Sequence, residues 1–494
     1  MSATTTDHAK YRFGDAAPVG LLLGLPARQA APLVVGVLWL TLMLMAQLPL
    51  LGMPGPLVGA VLAFGRIRGV PLFEVTLPAL RLGACRRPWT RSSLVADGDS
   101  RQPDLPEAMS GLELLEVDAG RLGADCKVAV VRDRRLDCVS LVVPVVGDGF
   151  PFASNVEQDA IVERWGAALA PLARAKSPIA RLTWQEWARP VGVEAHRRYV
   201  DSVTATDTRS AARADYDELL DLQGPFTIAH EVLLTLTVEL RRVRARKGMS
   251  QAESAIAALV DEARMLSDRL DTAGLGVGAP FDTASLREAI RHRSDPMRSA
   301  AGATKRRRSL AEAAQLVTAA WGPMAVKSAW HHVHVDGSFH RSYFVAHWPR
   351  LDVPADFLRP LLTADTATRT VTIVLEPVST AKASMEANRH LTSIEADQEQ
   401  KARHGFRLTA RERRKRHDVE ARETELAEGH PEFRFVGIVT VTAADEESLD
   451  RAAANIEQNA AQSLLELRPL AARHEHGWVA SLPLGRSVRN GGWT

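Results

Sequence analysis

From Gln29 to Gly65 the chain carries no charged side chain and no histidine, 37 residues of unbroken neutrality in an otherwise evenly mixed sequence. At roughly 20 apolar residues per crossing, the stretch AAPLVVGVLWLTLMLMAQLPLLGMPGPLVGAVLAFG can make one long membrane span or two short ones. Leu48-Pro49 and Met53-Pro54-Gly55-Pro56 interrupt its middle. Proline lacks the amide donor and clashes with the preceding turn, so a helix has to end there. The pattern predicts a transmembrane helical hairpin within 29–68, with arms at about 31–47 and 55–67. The second arm is short for a full crossing, which leaves a re-entrant arm open. A signal peptide fits poorly: the apolar region is too long and starts late, and no small-residue cleavage site precedes a polar mature start. A buried helix pair would need protein on every side of a charge-free stretch.

The flanks set an orientation. Lys10, Arg12 and Arg28 precede the segment, and Arg66, Arg68, Arg81, Arg86, Arg87 and Arg91 follow it. Positive charge on both sides places both chain ends on the cytoplasmic face of a plasma membrane, with an even number of crossings. Arg28, Arg66, Arg68, Arg86, Arg87 and Trp89 are the candidate membrane-interface residues, because a basic run with an aromatic suits an anionic lipid surface. A solvated linker accounts for that run equally well.

Beyond the polar linker SSLVADGDSRQPDLP (92–106), period-two and period-3.6 patterns alternate. Lys127–Asp133 and Leu136–Val146 read as a hairpin about Arg134-Arg135, and Gln158–Ala173 as a helix with Ile161, Trp165, Leu169 and Leu172 on one face. Ile179–Trp187 and Glu231–Leu240 read as strands, and Gln251–Asp271 as an amphipathic helix ended by Gly274–Gly278. The second half repeats the rhythm. Trp330–Val335 and Phe339–Trp348 flank the favoured Asp336-Gly337 turn. Thr370–Pro377 and Phe433–Val441 are strands, 380–428 is one long charged helical stretch, Asp445–Leu465 is a helix, and Gly477–Leu484 is extended. The expected fold class is α+β: the hairpin, then a cytoplasmic body of two ferredoxin-like lobes with a long charged helical insertion. The units are an N-terminal cytoplasmic segment (1–28), the hairpin (29–68), a basic juxtamembrane linker (69–106), a first lobe (107–300), a basic linker or helix (301–329), a second lobe (330–486) and a tail (487–494).

Composition narrows function more than it defines it. The 494 residues carry 61 basic and 59 acidic side chains, a net charge of +2 that argues against a dedicated, sequence-specific nucleic-acid binder. Cys85, Cys126 and Cys138 are too few and scattered for a disulfide framework or thiolate site. No G-x-x-x-x-G-K-[ST] loop occurs, nor G-x-S-x-G, nor H-E-x-x-H. Gly274–Gly278 lacks the following Lys-Ser or Lys-Thr and reads as a helix-ending turn. His331, His332, His334, His340 and His347 gather about one hairpin, where His332 and His334 share a face; metal pairing is conceivable there, but no cysteine joins them. His474-Glu475-His476 is weaker still as a ligand set. Lys305–Arg308 is a little-compensated basic run open to lipid, a partner or a DNA backbone, whereas Arg411–Arg416 interleaves with acids as a solvated helix would. No catalytic, cofactor or metal residue is assigned, and the body reads as a binding or scaffold module.

Tyr11-Arg12-Phe13-Gly14, followed by GLLLGLPARQ and the apolar hairpin, resembles the PrgI family of small membrane proteins in conjugative type IV secretion. VVRDRRLDCVSLVVPV, Arg164-Trp165-Gly166, Arg181–Glu186, Trp348-Pro349-Arg350, Phe357-Leu358 and Ala480–Gly485 resemble large actinobacterial proteins that fuse such a segment to a cytoplasmic domain. The phrase at Ala480–Gly485 is similar to the place where the N-terminal domain of conjugation ATPases of the TraC/TrwK type meets its motor domain. The chain stops nine residues later. The resemblance implies a non-catalytic inner-membrane component of a conjugative secretion complex, lacking the motor, in contact with membrane lipids, a separate ATPase and other secretion subunits in an oligomeric assembly. Two alternatives stand beside it: an EccE-like membrane component of type VII secretion, and a membrane-associated nucleotide- or sugar-utilising transferase built on Gly274–Gly278.

Overall fold

The computed structural model describes residues 11, 13, 27–67, 70–84, 88–91, 104–120, 127–147, 149–191, 193–203, 211–223, 227–296, 321–349, 351–364, 367–403, 410–427 and 430–487. The N-terminal helices are α1 (Ala27–Met45), α2 (Pro49–Gly52), α3 (Pro54–Phe64) and α4 (Leu72–Ala84), with a short ladder of β1 (Arg66–Ile67) and β2 (Val70–Pro71) before the last. Prolines open α2 and α3, where the missing donor costs nothing.

Among the described residues no helix is long and apolar enough to cross a membrane. The first turn of α1 holds Arg28 and the polar Gln29, so its apolar part from Ala30 to Met45 rises about 24 Å at 1.5 Å per residue, short of a ~30 Å hydrocarbon core. Helix α3 has 11 residues and is shorter still. This corrects the expected transmembrane hairpin, and the multi-pass plasma-membrane placement with two cytoplasmic ends falls with it.

From Trp89 onward the described residues build on one 13-stranded antiparallel sheet. Its strands are β3 (Trp89–Thr90), β4 (Leu112–Asp118), β5 (Lys127–Asp133), β6 (Cys138–Val146), β7 (Ile179–Pro190), β8 (Ile228–Glu239), β9 (Gly276–Val277), β10 (Ala325–Ser328), β11 (Val333–Val335), β12 (Ser338–His347), β13 (Thr368–Val378), β14 (Glu432–Ala443) and β15 (Glu466–Pro469). The order runs β3-β10-β11-β12-β14-β13-β7-β8-β6-β5-β4, with β15 on β12 and β9 on β6.

That order contains an internal repeat. In the first half, β6, helix α5 (Asn155–Leu169), β7, β8, helix α8 (Gln251–Thr272) and β9 form a β-α-β-β-α-β unit. Its strands lie in the order fourth, first, third, second. The second half does the same with β12, the short helix Arg359–Leu362, β13, β14, the helix Glu446–Gln462 and β15. A helical pair interrupts both units between the second and third strands: α6 (Glu194–Val203) and α7 (Ala211–Gln223) in one, Thr380–Arg403 and Ala410–Ala427 in the other. The two second strands, β7 and β13, pair antiparallel from Leu182↔Leu375 to Ala188↔Arg369. Equivalent strands paired antiparallel imply a local two-fold between them. The halves are thus joined edge to edge in one sheet rather than standing as separate lobes.

The sheet is covered on both faces. Alternate residues such as Leu141, Leu182, Leu234 and Leu236 face α5 and α8, while Tyr343, Val439 and Val441 face the helix Glu446–Gln462. The capping boxes Ser154–Glu157 and Ser250–Glu253 start α5 and α8. The opposite face takes Leu233, Val131 and Val142, together with helix α9 (Thr283–Ser294), Trp321 and the segment Trp478–Leu484.

Two further expectations are corrected. Gly477–Leu484 is helical to Ala480 and then turns, because Trp478 and Val479 are buried against the sheet by tertiary packing that local alternation does not report. The charged stretch 380–428 is two helices packed antiparallel, with Ala387 beside Leu426 and Arg416 reaching Gln398.

Candidate interaction surfaces

The first surface is the N-terminal helical hairpin. Helices α1 and α3 meet through small residues: a Cβ on Gly59 would lie 2.6 Å from the Pro32 carbonyl oxygen, and one on Gly36 would lie 2.5 Å from that of Gly55. Close approach leaves no room between the helices for large side chains, which turn outward. Ala30, Gly52, Gly59 and Ala63 are buried, whereas Leu38 is 60% and Leu57 69% exposed. Of the 30 large hydrophobic side chains exposed among the described residues, 16 lie between Val34 and Phe64. This is a continuous uncharged surface, since the nearest charges are Arg28 and Arg66. Patches of that kind mark contact sites.

Of the expected membrane-interface residues, Arg66 is exposed at the start of β1 and Arg28 lies in the first turn of α1. Trp89 is half-buried on edge strand β3, pairs with Val326 and packs into the core behind the sheet. Arg91 beside it donates to the carbonyls of Trp321 at 2.8 Å and Pro323 at 3.1 Å. Arg68, Arg86 and Arg87 lie outside the described residues, as do Lys305–Arg308. Of the three described members, Trp89 belongs to the sheet body, and Arg28 and Arg66 to the N-terminal elements.

The second surface is a seam. Residues 480–486 cross the sheet over its central strands. Gln185 Nε2 donates to the carbonyls of Ala480 at 3.2 Å and Leu482 at 3.0 Å, and Arg181 donates to that of Gly485 at 3.1 Å. Gly485 has φ +69°, and a Cβ there would sit 2.2 Å from Ser140 Oγ. Both the left-handed backbone and the contact demand glycine. Arg486 then pairs with Asp133 at 2.8 Å and donates to the carbonyls of Ala108 and Ser110. This polar seam continues across the second half, where Ser342 Oγ, Thr440 Oγ1 and Ser481 Oγ are linked at 2.9 and 2.6 Å.

The third surface was missed by pattern reading, because its members are far apart in sequence. Tyr11 exchanges backbone hydrogen bonds with Val353, N to O at 2.9 Å and O to N at 3.0 Å. Its phenol donates to Asp159 Oδ1 on α5 at 3.1 Å. Burial, and then the Asp159 carboxylate, push the phenol up to about 12. Phe13 lies in an aromatic cage, its centroid 5.3 Å from Trp348, 5.1 Å from Phe357 and 5.7 Å from Phe435. A cleft of about 480 Å³ adjoins this dock, sharing Val353 and Phe357 and running to Thr363 and Leu464.

His332, His334, His340 and His474 are each held in packing or hydrogen-bond contacts of the fold. His340 is fully buried; its Nε2 faces the Ser294 carbonyl oxygen and therefore carries the proton, and its Nδ1 accepts from Thr442. Desolvation lowers it to about 4. His474 is lowered to about 3 by burial and then by Arg341, and its Nδ1 accepts from the Ser342 amide. His332 and His334 pack on the Phe339 ring. Among the described residues no group of three His, Cys, Asp or Glu side chains could hold a metal ion. Gly274, at φ +78°, follows α8 and leads into β9 on β6, so the glycine run is at a helix C-terminus. The phosphate-binding amides of nucleotide sites are at N-termini.

In comparison with known proteins, no family model matches the chain and no curated protein matches it.

Proposed function

We propose that the chain is a non-catalytic structural component of a conjugative, type IV-like secretion complex, docking a separate motor ATPase and other subunits. The observation that supports this reading most is the outward-facing apolar surface of α1–α3. Fully burying one such side chain is worth about 1.5–3 kcal/mol. Covering 16 that are each exposed by roughly half or more therefore offers on the order of 15 kcal/mol. That matches or exceeds the ~4–15 kcal/mol that association costs. With no charge between Gln29 and Gly65, the matching partner surface is itself apolar, an uncharged helix of a neighbouring subunit.

The test is affinity purification of the full chain carrying a C-terminal tag, from cells that assemble the complex. A hexameric motor ATPase and other secretion subunits should co-purify, and Leu38→Glu with Leu57→Glu should release them while leaving the body folded. Recovery of the chain alone, or a motor retained by the double variant, refutes the proposal.

A further inference from the structure

The dock for Tyr11 and Phe13 is built from residues far downstream of the segment it holds. Asp159 comes from α5 in the first half, and Trp348, Val353, Phe357 and Phe435 come from the second. The groove therefore spans both halves and is complete without the N-terminal arm. It reads the arm in three ways. Val353 supplies one strand-like backbone pair, Asp159 accepts from the Tyr11 phenol, and the cage fits a phenyl ring with the following aromatic two positions on, where an extended segment places it on the same side. This is recognition of an extended aromatic-x-aromatic peptide by backbone pairing plus a side-chain slot. The adjoining cleft shows that the groove continues past the two docked side chains.

Nothing in these contacts requires the arm to belong to the same molecule. The arm and the groove are also separated by α1–α4, an element that contributes no residue to the core clusters of the sheet body among the described residues. We propose that the groove is an exchangeable dock that takes the Tyr11–Phe13 segment of a second copy of this chain, linking copies arm to body. Within one molecule the tether gives the chain's own arm a high effective concentration, so the arm is resident in dilute solution. Copies held side by side present neighbouring arms at comparable concentration, and exchange then joins them without any new contact.

Two full-length copies test this. Phe13→Ala disables the arm and leaves an open groove; Phe357→Glu disables the groove and leaves a free arm. By sedimentation velocity each alone should remain monomeric, and an equimolar mixture should form a one-to-one pair. Association through the apolar hairpin would appear in each copy alone, so only the excess in the mixture counts. A labelled peptide of residues 8–15, HAKYRFGD, provides a measurement independent of the Phe357→Glu copy. It should bind the Phe13→Ala chain at least ten-fold more tightly than the wild type, whose groove is occupied, and lose that binding when its own Phe13 is alanine. A mixture that stays monomeric, or a peptide that does not distinguish the two chains, overturns the proposal.

Discussion

Gln185 gives the sharpest test of how the C-terminal seam is held. It is fully buried at the centre of β7, and its two amide hydrogens go to the Ala480 and Leu482 carbonyls. Its own Oε1 accepts no hydrogen bond in the structure. Methionine has nearly the same volume and no donor, so Gln185→Met removes both bonds with little change in packing. The Ala480 carbonyl is then left buried without a partner, at about 1–3 kcal/mol, whereas the Leu482 carbonyl keeps the Leu484 amide at 2.7 Å and loses one of two bonds, at about 0.5–1.5 kcal/mol. Removing the unpaired Oε1 returns about the cost of the orphaned Ala480 carbonyl, which leaves a net loss of about 0.5–1.5 kcal/mol. Denaturant titration should show a lower midpoint, and hydrogen exchange should show faster protection loss in peptides covering 478–487 than in β8 or β14. The local readout matters because a chain of 494 residues need not unfold in two states. A midpoint within 0.5 kcal/mol of wild type, together with unchanged exchange over 478–487, would refute the account of these bonds as the clamp.

Gly485→Ala should be worse than Gln185→Met, since it strains a φ of +69° and drives a methyl into Ser140; the expected loss is about 2 kcal/mol or more, read by the same titration. Acid should weaken the fold through His340. Its folded value lies near 4 and an unfolded histidine near 6.5, so the stability from keeping it neutral is intact above 6.5 and lost as pH falls toward 4. At pH 5 that is about 2 kcal/mol, and His340→Gln should flatten this limb of a stability–pH curve; an unchanged limb would remove His340 as its cause. Finally, a chain beginning at residue 88 keeps β3 and Arg91 and loses the arm contacts, the apolar hairpin, the β1–β2 ladder and α4. It is expected to melt within a few degrees of the full chain and to be markedly more soluble at equal concentration, and failure to fold would show that the N-terminal helices support the body.

Much of the sheet could be read from the pattern because its strands are self-reporting. Ile179–Trp187 lies inside β7, the aliphatic and β-branched run Glu231–Leu240 passes the end of β8 by one residue, and Asp336-Gly337 is a turn wherever alternation flanks it. Prolines 49 and 54 likewise mark the helix starts of the N-terminal hairpin. The readings failed where meaning came from across the fold. Apolar length alone predicted a membrane crossing, but helix geometry divides that length into pieces of 19, 4 and 11 residues. The phrase GWVASLPL alternates weakly and is helical in part because Trp478 is driven into the core. Helices α6 and α7 went unread: they are short, charged and joined by the ion pairs Arg213–Asp201 and Arg197–Asp221 rather than by an apolar stripe facing the sheet. The Phe13 cage had no local signal at all, since Trp348, Phe357 and Phe435 meet only in three dimensions.

The internal repeat explains why the candidate surfaces lie where they do. A sheet of two equivalent units joined through their second strands has no free edge at the join, because β7 and β13 saturate each other. Its faces are also taken, one by α5, α8 and the helix Glu446–Gln462, the other by α9 and the seam segment. A structure closed in this way offers a partner little beyond polar helices and outer strands. The elements that break the two-fold are the ones that can confer direction: the arm at Tyr11–Phe13 and the apolar hairpin, which both precede the repeat, and the seam at Ala480–Arg486, which follows it. Direction is what a subunit between unlike neighbours requires, because a fully two-fold body would present the same surface on both sides. Of these three elements the arm reaches both halves at once, through Asp159 in the first and the aromatic cage in the second, so its occupancy links an asymmetric element to both repeat units.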